Sequence, residues 1–246
     1  MTMLCGLTGI DAGALTPPAE APPQVVEMIP CGSFSVNCYI VSQGGKAILV
    51  DTGEKAYRDE ILEKCKAANV QLIVLTHGHY DHAQNAAYLS EQLRVPVAMH
   101  AADLGQLEEL EIDKAHTLFG GMMVASMYML KFLYGNRLTA GVIEKLIDNR
   151  TPIFVPDVLL KEGDSLAAYG VDAEIVALPG HTLGSIGVLA GDDLIAGDAL
   201  MHILWPMRSA HYIDRTAMEA SAGKISGLGD VTVWFGHGKP VANRSW

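Results

Sequence analysis

Short apolar runs, most of them rich in β-branched residues, recur along the chain between polar and glycine-containing segments, and this spacing predicts alternating strands and helices. Residues 25–29, 36–41 and 47–50 each have strand length, and β-branched side chains pack well on a pleated surface. Gly44-Gly45 between the last two predicts a hairpin turn. Residues 55–68 instead carry Ile61, Leu62 and Cys65 at near-helical spacing among charged neighbours, which predicts a surface helix. Leu72-Ile73-Val74-Leu75 predicts a buried strand over 72–76, residues 83–94 a second helix and 96–99 a further strand. Such alternation is the pattern of an α/β layered fold.

The ends of the apolar runs share a second pattern. Residues 72–76 lead into His77-Gly78-His79, 174–178 into Pro179-Gly180-His181, 194–196 into Gly197-Asp198 and 231–235 into Gly236-His237-Gly238, while 47–50 runs straight into Asp51-Thr52-Gly53. Each end joins glycine, which lets backbone turn sharply or approach a ligand closely, to a side chain that can bind metal. Loops at strand ends are where α/β scaffolds build their sites, and one edge of a sheet sandwich unites all five.

The densest chemistry lies in Thr76-His77-Gly78-His79-Tyr80-Asp81-His82, with three imidazoles and a carboxylate in seven residues. Neutral imidazole and carboxylate are ligands for a borderline cation such as Zn²⁺, at about 2.0–2.2 Å per bond. Four donors so close together exceed what one tetrahedral ion takes comfortably, so part of the set is assigned to a second ion, with the remaining ligands supplied from elsewhere.

Composition narrows the class. A chain of 246 residues, 50% hydrophobic, can bury a substantial core. With 17 Lys and Arg against 28 Asp and Glu, the formal charge is −11, which argues against a nucleic-acid or anionic-membrane surface. Cys5, Cys31, Cys38 and Cys65 show no C-x-x-C spacing and read as reduced, structural thiols. No charged segment precedes an apolar one at the start, so a cytoplasmic location is expected. Residues 1–24, with Pro17, Pro18, Pro22 and Pro23, read as a flexible leader to a domain over 25–246.

The ordered set Asp51, His77, His79, Asp81, His82, His181, Asp198 and His237 resembles the metallo-β-lactamase-fold hydrolase superfamily, over residues from about 25 to 241. Pro179-Gly180-His181-Thr182-Leu183-Gly184-Ser185 is further similar to the branch that holds hydroxyacylglutathione hydrolases (glyoxalase II), acyl-homoserine lactonases and persulfide dioxygenases. The resemblance implies an αββα sandwich with the site along one edge. It assigns His77, His79 and His181 to one divalent cation and Asp81, His82 and His237 to another, with Asp198 bridging and Asp51 supporting the ligand loop by hydrogen bonds. Zn²⁺ is the first choice of metal, with Fe or Mn as alternatives. The implied activity is cleavage of an acyl bond in a lactone, ester or thioester by a hydroxide bridging the two ions, with Asp81 and Asp198 as its catalytic carboxylates. A persulfide dioxygenase using a single iron and a nuclease or phosphodiesterase of the same superfamily are the rival readings.

Residues 101–157 are the least family-like and are read as a helical insertion. Within it, 117–130 is apolar on nearly every face and includes four methionines and Tyr128, but Lys131 ends the uncharged run below the roughly 20 residues that a membrane span requires. Stable membrane insertion is not expected, and the segment 117–133 is assigned equally to a lid over the cleft or to a homodimer interface. Tyr128, His202, Trp205, Met207, His211 and Tyr212 are candidates for contact with a small acyl substrate. Nine residues follow His237, and no C-terminal helical domain of the kind that binds glutathione carboxylates is expected, which puts lactones ahead of glutathione thioesters.

Overall fold

A computed structural model describes residues 22–31, 36–107, 114–115, 154–209 and 211–246. The first sheet holds β1 (Val25–Pro30), β2 (Asn37–Gln43), β3 (Lys46–Val50), β4 (Val70–Val74), β5 (Val97–His100) and β7 (Val158–Leu160), side by side in that order. β6 (Lys114–Ala115) pairs separately with β13 (His211–Tyr212). The second sheet has the order β15-β14-β10-β9-β8, formed by β8 (Glu174–Ala177), β9 (Ile186–Ala190), β10 (Asp193–Gly197), β14 (Thr232–Phe235) and β15 (Val241–Ala242). β11 (Leu200–His202) and β12 (Pro206–Arg208) form a small hairpin.

The period-two alternation of β residues separates three cores. Along β2 and β3, Cys38, Ile40, Ala47 and Leu49 face outward, where α1 (Arg58–Ala68) and α3 (Ala86–Leu93) cover them with Ile61, Leu62, Cys65 and Leu89. Their neighbours Tyr39, Val41, Ile48 and Val50 face inward and meet Ile175, Val188 and Ile195 of the second sheet. On the far side, Val176, Leu194 and Val233 are covered by Ala222 and Ile225 of α4 (Arg215–Ser226). Strands buried on both faces read as continuous apolar runs. The result is helix on sheet on sheet on helix, the αββα sandwich implied by the resemblance.

The elements predicted between residues 25 and 99 lie where expected, with informative shifts, while most of the helical insertion placed at 101–157 lies outside the described residues. The strand placed at 72–76 is β4, Val70–Val74, because Thr76 leaves the first sheet: its carbonyl accepts from Ile186 N of β9 at 2.8 Å. The helix placed at 83–94 is two helices, α2 (Tyr80–Ala83) and α3. Between them, the Asn85 amide donates to the carbonyls of Thr52, Gly53 and Glu54, tying the loop after β3 to the helix layer and breaking the helix. α4 was not anticipated, although Asp214 caps it by accepting from Ala217 N at 3.0 Å.

Strand direction explains where the site forms. β3, β4 and β5 run parallel, as do β10 and β14, and β8 matches them through two antiparallel steps across β9. The C-terminal ends of β3, β4, β8, β10 and β14 therefore share one edge. Cys31, Cys38 and Cys65 are free and buried, as structural thiols should be. The expected lid or interface at 117–133, with Tyr128, lies outside the described residues. Among the described residues, no helix is long and apolar enough to cross a membrane.

Candidate metal centre

Four loops and one short helix bring the seven candidate ligands together. β4 delivers His77 and His79, α2 carries Asp81 and His82, and the ends of β8, β10 and β14 carry His181, Asp198 and His237. The side chains of His77, His82, His181 and Asp198 are buried. Three donor groups form, each with its ligand atoms within 4.8 Å of one another: His77, His79 and His181; His77, His82 and Asp198; Asp81, His82 and His237. The first and third are the two sets expected from the sequence. The second joins them through Asp198.

Hydrogen bonds on the far side of the rings set which nitrogen faces the centre. Asp51 is wholly buried, and its carboxylate accepts from Thr76 N at 2.8 Å, from Thr76 Oγ1 at 2.9 Å and from His82 Nδ1 at 2.8 Å. Since Thr76 Oγ1 spends its proton on Asp51, it accepts from His77 Nδ1 at 3.0 Å. His181 Nδ1 donates to the His211 carbonyl at 3.1 Å, with Ser209 Oγ at 3.0 Å. Each arrangement places the proton on Nδ1 and turns Nε2 inward, the tautomer that a metal-binding imidazole needs.

The inward atoms lie close to one another. His77 Nε2 and His181 Nε2 lie 3.1 and 3.0 Å from His79 Nδ1. His237 Nε2 lies 3.4 Å from Asp81 Oδ2 and 3.4 Å from Asp198 Oδ2, and His82 Nε2 stands 3.9 Å from Asp81 Oδ2. Asp198 reaches both halves, with Oδ1 3.6 Å from His82 Nε2 and Oδ2 3.8 Å from His181 Nε2.

The donor chemistry of these residues fits divalent-cation binding. Two atoms bound tetrahedrally to one ion at about 2.1 Å stand about 3.4 Å apart, as His237 Nε2 and Asp81 Oδ2 do. Among the described residues, His82 Nε2 and Asp198 Oδ1 are buried polar atoms with no hydrogen-bond partner, a costly state unless a cation sits between them. Glycine makes room for the arrangement: a Cβ on Gly236 would collide with Asp198 Oδ1 and come within 2.9 Å of His82 Cε1.

The two halves differ electrostatically. Burial pushes His77 well down and His79 down to about 3, and the neighbouring imidazoles add to it, so this half presents neutral nitrogens. Burial also opposes charge on His82 and His237, but the carboxylates outweigh it. Asp51, Asp81 and Asp198 hold His82 up to about 9, and Asp198 with Asp81 holds His237 well above the ordinary imidazole value. The same pairing, against burial, brings Asp81 down to about 2 and Asp198 well below the usual carboxylate range. Without a cation, the second half keeps protons where the metal would be.

The candidate substrate contacts scatter. The His211 carbonyl holds His181, and its imidazole is half-buried and lowered by burial and by His181 nearby. Tyr212 follows it on β13. His202 Nδ1 bonds the Lys239 carbonyl at 2.6 Å, and its ring packs edge-on against Phe235. Trp205 and Met207 line a groove of about 430 Å³ with Arg208, Arg244 and Trp246, and none of the seven clustered side chains lines it. Three supporting residues were not anticipated. Asn37 donates to the carbonyls of Phe235 and Gly238 on either side of His237, Ser209 contacts His181, and Asp103 spans two ligand loops.

The chain is similar to known proteins in sequence and in fold. A sequence model of the metallo-beta-lactamase superfamily matches residues 31–237. An uncharacterized protein of Aquifex aeolicus is 31% identical over 180 residues, covering 72% of this chain and 71% of that protein. The hydroxyacylglutathione hydrolase GloC of Haemophilus influenzae is 27% identical over 181 residues, 71% of each chain. Such curated relatives are matched over 60–71% of their own lengths. Among solved structures, TTHA1623 in a di-iron-bound form superposes with a TM-score of 0.61 at 25% identity, covering 88% of this chain and 94% of that one.

Proposed function

Because the chain belongs to the metallo-beta-lactamase superfamily, we propose that it is a two-metal hydrolase of acyl bonds. The observation that carries the proposal is the pair of donor groups facing each other across Asp198. His77, His79 and His181 would hold one divalent cation, Asp81, His82 and His237 the other, and Asp198 would serve both. Five imidazoles and two carboxylates suit zinc, and also iron. Zinc is proposed here, and metal analysis decides between them.

When bound, divalent cations held by these residues would supply a lowered pKa for water and stabilisation of negative charge on an acyl oxygen. The side chains set the conditions for that chemistry. Asp51, through Thr76 and directly, keeps His77 and His82 in the metal-binding tautomer. Asp81, held at about 2, stays ionised at neutral pH, so it orients an attacking water as a hydrogen-bond acceptor and does not store its proton. The His211 imidazole, which feels the charge of His181 and Asp198, is proposed as a substrate contact.

The acyl class draws support from the hydroxyacylglutathione hydrolase relatives. The test is a panel comprising an acyl lactone, a hydroxyacylglutathione, a phosphodiester and a β-lactam, measured before and after chelation and after zinc is restored. Turnover of the lactone or the thioester, lost on chelation and regained with zinc, supports the proposal. Turnover confined to the phosphodiester, or oxygen uptake on a persulfide with a single iron, would overturn it.

A further inference from the structure

Asp103 lies in the turn of 3₁₀ helix Ala101–Leu107 that follows β5, outside every run that carries a candidate ligand. It is a wholly buried carboxylate. One oxygen, Oδ2, accepts from Gly78 N at 3.0 Å and from Thr182 Oγ1 at 2.6 Å, while Oδ1 accepts from Gly184 N at 2.6 Å. Gly78 separates His77 from His79, and Thr182 follows His181. A single side chain therefore bonds to both loops that carry the three-histidine group.

The surroundings are shaped to keep it there. A Cβ on Gly184 would come within 2.6 Å of Asp103 Oδ1 and 2.7 Å of its Cγ, so the carboxylate packs against a backbone that only glycine leaves open. Thr182 is fixed in turn by Ser185, whose Oγ lies 2.7 Å from Thr182 Oγ1 and accepts from Thr182 N at 3.0 Å. Burying a carboxylate is costly unless its oxygens are satisfied, and here each is, by groups belonging to the ligand loops. Asp51 acts differently, gripping the rings of His77 and His82 from behind.

We propose that Asp103 is a positioning residue that sets the spacing between His79 and His181, and so the affinity of the three-histidine site, while leaving the Asp81–His82–His237 site largely alone. The inference rests on the two-metal reading above. Asparagine at this position is close to isosteric, but its amide would face a donor, Gly184 N or Gly78 N, and at least one loop would lose its anchor.

The experiment is a competitive zinc titration of the stripped protein against a chromophoric chelator, resolving two binding steps, for the native chain, Asp103→Asn, Thr182→Val and Thr182→Ser. One of the two constants should weaken about 10- to 100-fold in Asp103→Asn, the usual effect of removing an outer partner of a metal ligand, and the other by less than about threefold. Thr182→Val should weaken the same step, and Thr182→Ser, which keeps the hydroxyl, should restore it. If Asp103→Asn fails to fold, the two Thr182 variants carry the same test. Both steps unchanged, or both weakened alike, would overturn the inference while the native chain still takes up two zinc ions. A native chain that binds fewer than two would overturn the reading beneath it.

Discussion

Asp51 holds the His82 ring through a 2.8 Å bond between Oδ2 and Nδ1, while its own backbone sits in the left-handed region at φ 61°. That conformation costs a non-glycine residue about 1–3 kcal/mol and persists only where surrounding contacts over-determine it. Three hydrogen bonds to the Asp51 carboxylate, from Thr76 N, Thr76 Oγ1 and His82 Nδ1, do so here. Strain at the end of β3 is thus coupled to the orientation of two candidate ligands.

Asp51→Asn separates backbone from chemistry. Asparagine tolerates the left-handed region, so the fold should survive. Its amide group must, however, face a donor, and His82 can then be satisfied only by moving its proton to Nε2, the atom aimed at the centre. Zinc titration should show both binding steps weakened by about 10- to 100-fold, in contrast to the single step expected for Asp103→Asn. Affinities within about threefold of native would show that Asp51 does not set the tautomers.

Gly236→Ala tests the close approach of backbone to the centre. The added methyl falls on Asp198 Oδ1 and against His82, so the carboxylate between the two halves must move. Far-UV circular dichroism should stay native while zinc uptake drops to one ion or fewer. Two ions retained at native affinity would mean that Asp198 is not shared.

Stability of the stripped protein should peak near pH 6.5. In the folded chain His82 is raised from 6.5 to about 9, so its contribution is full below about 6.5 and is lost as pH rises through 9. His79 is lowered from 6.5 to about 3, so the unfolded chain takes up a proton that the folded chain refuses, and stability falls as pH drops below about 6.5. Zinc reverses the alkaline trend, because the cation replaces protons at the Asp81–His82–His237 group and binds more tightly as they leave. Thermal melts of stripped and loaded protein at pH 5.5, 6.5, 7.5 and 8.5 check this. A stripped protein that gains stability from 6.5 to 8.5 would contradict it.

Much of the site was legible because its ligands are contiguous or sit at ends of apolar runs. His77, His79, Asp81 and His82 span six positions, and His181, Asp198 and His237 each follow β8, β10 or β14 closely. The sheets were legible for a similar reason: Cys38, Ile40 and Tyr39, Val41 are apolar on both faces, and such runs read as buried strands. What depends on tertiary adjacency was not. Asp103 and Asn37 are lone polar residues whose roles exist only once the ends of β4, β8 and β14 meet. The break between α2 and α3 comes from Asn85 reaching the loop after β3, not from a local breaker. α4 is not legible in the sequence because Ala217, Ser221, Ala222 and Gly223 give it little apolar contrast. Trp205 and Met207, which follow Asp198 by seven and nine positions, are carried by β12 and its turn into a groove with Arg208 and Arg244.

The number of divalent cations held by each chain, measured by elemental analysis after stripping, saturation with zinc and removal of excess, tests the central claim most directly. Two tightly bound ions per chain, falling to one or none in Asp198→Ala, is the result expected from donor groups that face each other across a shared carboxylate. One ion or none in the native chain, or two retained at native affinity in Asp198→Ala, would contradict it.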